Sequence, residues 1–157
     1  MRFVAIAAAL AVALSPPANV LAAFGQLHEI DTLDGLPSGI RTGAFVLPDG
    51  KQLDGGWVLA APGAAWNATD SGPNPALPGR RLHFAACDAS LCLLHYERGG
   101  IAHIHIVMAL ALTNGRWKAT WIAIGQPAMH DLAALHALLQ NRSSADYYDG
   151  AQAALNY

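Results

Sequence analysis

His103 and His105 stand two residues apart in a run of strand-forming residues. Side chains alternate across a strand, so both rings face one side, a spacing suited to chelating a metal such as zinc. Pairing the neighbouring strands around Gly99-Gly100 and through Cys87 and Cys92 puts Tyr96 opposite His103 and His83 opposite Tyr96. Four polar rings, His83, Tyr96, His103 and His105, are therefore expected at one end of a sheet as the ligand or metal candidates. A zinc ion needs a third or fourth donor. In this register Glu97 faces away and His95 belongs to the core face, so the plainer expectation is half-exposed strand histidines with no cofactor.

The two cysteines are spaced Cys87-x4-Cys92. An even count in an exported chain reads as a disulfide, and the hairpin register makes these two cross-strand neighbours. The bond closes a short loop, Asp88-Ala89-Ser90-Leu91. A stapled tip has lost conformational freedom before it meets a partner, which favours a contact role with Asp88 as the charge and Leu91 as the apolar group. The bland alternative turns Leu91 into the core as the end of the strand. A periplasmic lysozyme-inhibitor family is similar in carrying a C-x4-C loop on a small exported domain with an antiparallel sheet. The likeness covers residues 86–92, and the histidine which that family places in its loop is absent. What it implies is an envelope protein whose loop contacts another protein.

Catalytic signatures are missing. No serine sits in a G-x-S-x-G setting, the cysteines are expected to be oxidised, no carboxylate pair suggests glycoside hydrolysis, and no glycine-rich phosphate loop follows a strand. This leans the expectation away from an enzyme.

The elements that must position these residues come next. Residues 81–124 read as four strands joined by three tight turns. Asn114-Gly115 is a strong hairpin signal, because both central residues of a type I′ turn need positive φ. Gathering apolar residues on one face then sets Leu112 opposite Trp117, Leu110 opposite Ala119 and Met108 opposite Trp121. A two-residue turn at Gly99-Gly100 sets Ile104 opposite His95. Before this block, residues 40–47 read as a strand, Pro48-Asp49-Gly50-Lys51 as a turn, and 57–60 as the returning strand. Residues 61–79, dominated by Pro, Gly, Asn, Asp and Ala, read as a surface loop of unusual length, a mild hint of function. Arg80-Arg81 is expected as a solvated strand start. Residues 131–141 carry Leu132, Leu135, Leu138 and Leu139 on one helical stripe. The expected fold is α+β: an antiparallel β-meander of about five or six strands packed by a C-terminal amphipathic helix.

Residues 1–23 read as a secretory signal: Met1-Arg2, an apolar run over 3–14, Ser15-Pro16-Pro17, then small residues at Leu21-Ala22-Ala23. That apolar run is short of the roughly 20 residues a membrane span needs. Residues 24–157 then form one small domain, periplasmic or secreted. With 9 basic and 11 acidic residues, the chain is mildly acidic, which argues against a nucleic-acid partner. The expected function is an exported, non-catalytic protein that binds an envelope protein or a small molecule; the alternatives are a metal-handling protein using strand histidines and a lysozyme-inhibitor-like protein.

Overall fold

The computed structural model describes residues 16–52 and 56–141. The expected leader's apolar run and the tail with Tyr147, Tyr148 and Tyr157 lie outside the described residues. A mixed six-stranded sheet carries the fold, in the order β1-β3-β4-β5-β6-β2. Its strands are β1 (His28–Ile30), β2 (Phe45–Val46), β3 (Arg80–Cys87), β4 (Leu91–Arg98), β5 (Ile104–Thr113) and β6 (Arg116–Ile124). Three short α-helices, α1 (Ala18–Ala23), α2 (Ser38–Arg41) and α3 (Leu132–Asn141), and a 3-10 turn at Phe24–Gln26 complete the described elements. With sheet and helices in one small unit, the class is α+β.

The sheet is antiparallel except at one edge, where β2 runs parallel to β6, pairing Phe45 with Trp117. This corrects the all-antiparallel expectation. The physical reason is local. Pro37 starts a helical turn at Ser38–Arg41, so Ile40 is a buried helical residue, and strand geometry is left only to Phe45–Val46. Residues 57–60 likewise form no returning strand. They reach β3 through a single parallel bridge, with Ala60 N–H donating to Arg80 O at 2.8 Å and Leu82 N–H to Ala60 O at 3.0 Å.

Both faces of the sheet are covered. One buries Leu82, Leu94, Tyr96, Ile106, Met108 and Leu110 under Ile40, Phe45, Trp57 and Leu59. The other buries Phe84, Leu93, Val107, Ala109 and Trp121 with Val20, Phe24, Met129, Leu135 and Leu139. Val20 lies inside the segment that the export expectation removes, and it is wholly buried. The central strands are therefore continuous apolar runs rather than alternating ones, the pattern expected of a sheet covered twice.

That double burial explains the register errors. The Asn114-Gly115 turn has φ of 51° and 74°, and Leu112↔Trp117 and Leu110↔Ala119 pair as expected. Beyond a bulge at Ala109/Leu110, Trp121 pairs with Ala109 instead of Met108. The β4–β5 connection is not a two-residue turn at the glycines: Arg98 pairs with Ile104, and His95 pairs with Val107. The shift from the expected pairing is three residues. An odd shift turns each side chain to the opposite face, but with both faces apolar the hydrophobic pattern could not detect it. The longer turn is set by the 61–79 loop. A Cβ on Gly99 would lie 2.0 Å from Asn67 O, so only glycine admits that close approach.

Candidate functional site

Along β4 the side chains facing the α3 layer run Leu91, Leu93, His95, Glu97. Along β5, from the interior outward, they run Ala109, Val107, His105, with His103 just before the strand. The apolar lining thus gives way to imidazoles and then to a carboxylate as the sheet opens. β3 adds a fourth ring through a bulge. Leu82 pairs with Tyr96 and Phe84 with His95, so His83 is the extra residue, and its ring stacks on His95 at 4.9 Å between centroids. Bulges re-aim a side chain in this way beside functional sites.

Glu97 organises the cluster. Only 2% of its side chain is exposed. Arg81 Nε donates to Oε1, while His103 Nε2 lies 2.5 Å from Oε2 and His83 Nε2 lies 3.5 Å from Oε1. Burial pushes the Glu97 carboxyl up, but the hydrogen bonds from Arg81 and His103 outweigh it and hold the group below the usual glutamate range. Burial lowers His83 and His105 and drives His95 down to about 3. These three rings are therefore neutral near pH 7, the form in which imidazole offers a lone pair to a metal.

Two groups of donors are close enough to share an ion. His83, His95 and His105 form one; Glu97, His103 and His105 form the other, and in each the donor atoms lie within 4.8 Å of one another. Nδ1 of His105 and Nε2 of His83 are buried with no hydrogen-bond partner. His95 Nδ1 is likewise buried without a hydrogen bond, but its Nε2 accepts the Met129 N–H at 3.2 Å. A neutral ring that accepts through Nε2 carries its proton on Nδ1, so His95 supports the rings beside it and is a poor ligand as placed.

The 61–79 loop walls one side. Trp66 lies edge-on to His103 at 5.3 Å, the Arg81 guanidinium sits 5.2 Å from the Trp66 ring centre, and Ala64 O accepts from Arg81. Asn67 stitches the loop together, its amide donating to Asn74 O and Leu77 O.

The sequence-derived group is therefore partly regrouped. His83, His103 and His105 do come together. Tyr96 does not: it is buried on the opposite face, edge-on to Trp57 at 5.3 Å, because the β4–β5 register differs from expectation by three. Glu97 and His95, expected to face elsewhere, belong to the site, and Arg81 is an ion-pair partner rather than a solvated strand start. A signal for Glu97 exists in the sequence: a lone acid within LCLLHYER, where no polar alternation marks a wet face, must find a partner.

The other candidate lies at the far end of the β3–β4 hairpin. Cys87 and Cys92 are disulfide-bonded and buried. Asp88 Oδ1 accepts from Ser90 N at 2.6 Å, Ser90 Oγ at 3.1 Å and Leu91 N at 2.7 Å. Leu91 is buried in the α3-side core, so it is not the apolar group of an exposed tip. What the tip presents outward is Ala89 and Ser90.

No family model, no curated protein and no solved structure matches this chain.

Proposed function

We propose that this is an exported metal-handling protein that binds a divalent transition ion, zinc foremost, through Glu97, His103 and His105, with His83 behind them. The observation that carries the reading is the pair of donor groups sharing His105, with ring nitrogens of His83 and His105 buried and making no hydrogen bond. A buried polar atom without a hydrogen bond costs about 1–3 kcal/mol, and a cation bound at such a nitrogen would remove that cost. The donor set is nitrogen and oxygen with no sulfur, which suits Zn²⁺, Ni²⁺ or Cu²⁺. Arg81 engages only Oε1 of Glu97, leaving Oε2 beside His103. A metal between Oε2 and Nε2 would replace the hydrogen bond between those two atoms, and because imidazole ligates only in its neutral form, binding weakens in acid. Trp66 and the 61–79 loop support the same reading by shielding His103 and Arg81 from one side.

The test uses protein stripped of metal by chelator and then titrated with Zn²⁺. At about a hundred times Kd, zinc should stabilise the fold by about 2.7 kcal/mol, seen as a rise in melting temperature. The pair His103→Ala and His105→Ala should abolish that rise while leaving the metal-free fold intact, because neither ring belongs to the apolar cores. No shift with Zn²⁺, Ni²⁺ or Cu²⁺ well above micromolar concentrations would overturn the reading.

A further inference from the structure

A cavity opens at the same end of the sheet, around the first residues of β3 and the last of β4. Its volume is ≈ 570 Å³, within the range of small-ligand pockets. Ile101, Ala102 and Ile104 form apolar walls, and Arg80, Arg98 and Asp70 supply the charge. Arg80 and Arg98 are register partners on adjacent antiparallel strands. Their guanidinium groups put two positive charges on that wall of the cavity. The formal balance of the three charged lining residues is two cations less one anion, a single positive charge. Ile101 is 95% exposed, an apolar side chain almost wholly in water at the rim of an apolar cavity.

Arg80 gives one Nη1 hydrogen bond to Gly56 O at 2.9 Å and lies 5.5 Å from the Trp57 ring centre, but its Nε is buried with no partner. The Tyr96 hydroxyl is fully buried and also without a partner, and so is Trp57 Nε1. Tyr96 packs against Trp57 and lies close enough to Arg80 and Arg98 for both cations to favour its ionised form, although burial outweighs them. The Tyr96 ring, misplaced in the histidine group by sequence, thus sits behind an arginine pair.

We propose that this cavity binds a small amphiphile with a single carboxylate head and an apolar tail. The head meets Arg80 and Arg98, whose planar guanidinium forks match a carboxylate, and the tail lies along Ile101, Ala102 and Ile104. A monovalent head fits the single net positive charge of the lining. The site stands apart from the proposed metal centre, since none of its lining residues is one of those ligands.

Octanoate is the probe, with octan-1-ol, acetate and octyl phosphate as comparators in calorimetric titrations of the metal-stripped protein. Octanoate should bind at least about ten-fold more tightly than octan-1-ol or acetate, a difference of about 1.4 kcal/mol. Arg80→Gln and Ile101→Ser should each weaken octanoate about ten-fold. Ile101, being exposed, can be changed without disturbing the fold, so that variant decides the outcome if Arg80→Gln fails to fold. The proposal is overturned if octanoate does not bind, if octan-1-ol binds equally well, if octyl phosphate binds ten-fold tighter, or if Ile101→Ser keeps full affinity.

Discussion

The two ends of the β3–β4 hairpin are built on opposite principles. At the closed end, Cys87 and Cys92 are joined, Asp88 accepts three hydrogen bonds from its own turn, and Ser90 O accepts the Leu112 N–H at 2.7 Å. The polar groups of that turn are satisfied within it or by the neighbouring strand, and the apolar Leu91 is turned inward. At the open end, buried nitrogens of His83, His95, His105 and Arg80 and the hydroxyl of Tyr96 make no hydrogen bond, and His83 Nε2 has only the 3.5 Å approach to Glu97 Oε1. Native proteins rarely leave buried polar atoms unpaired without a reason. A rigid tip can look like a contact element, yet a turn that satisfies itself offers little to a ligand. The end that is unfinished as a protein is where a ligand has work to do.

The sharpest way to break this comparison is acid. His95 has its folded pKa depressed to about 3 from an ordinary 6.5, chiefly by burial and then by His83 and His105. Below pH 6.5 the unfolded chain takes up a proton that the folded chain refuses. The stability that His95 contributes is therefore full above that value and is lost progressively as pH falls towards 3. In metal-stripped protein the loss from His95 alone should reach about 2 kcal/mol between about pH 6.5 and 4.5, at about 1.4 kcal/mol per unit once the unfolded chain is protonated. Urea melts across that range check it. In His95→Gln the slope should shrink, and an unchanged slope would place the acid sensitivity elsewhere.

Removing the disulfide should have a comparable effect. The closed loop is short, so the double variant Cys87→Ala and Cys92→Ala should lose about 2 kcal/mol and remain folded. Its zinc uptake should match that of the parent. A parallel loss of zinc binding would show that the two ends are coupled and that the contrast between them is false. The smallest expected effect is that of Asp88→Ala, which removes three acceptor contacts from a partly exposed turn and should cost about 1 kcal/mol in a denaturant melt. If Asp88→Ala leaves stability untouched but abolishes binding to an envelope partner such as lysozyme in a pull-down, the tip is a contact surface after all.

Much of the local structure was legible in the residues. Asn114-Gly115 sets positive φ, Cys87 and Cys92 pair across one hairpin, and the leucines of 131–141 mark a helix. Asp131 opens α3 by accepting the Ala134 N–H at 2.7 Å. The candidate site was half legible. His103 and His105 are two apart on one chain segment, and their common face follows from the strand period. Their partners were not readable, because Glu97, His95 and Tyr96 change faces with the β4–β5 register, and that register depends on a loop some thirty residues earlier in the chain.

By itself, then, the sequence determined what depends on neighbours along the chain: turns, the disulfide hairpin, helix α3 and the chelating pair of histidines. Tertiary structure decided which residues meet at the open end of the sheet. Hydrophobic pattern selects a register only when one face is wet. With both faces of this sheet buried, the choice passed to the packing of Gly99 against Asn67 and to the bulge at His83. Those contacts turn Glu97 towards the histidines and Tyr96 towards the arginines.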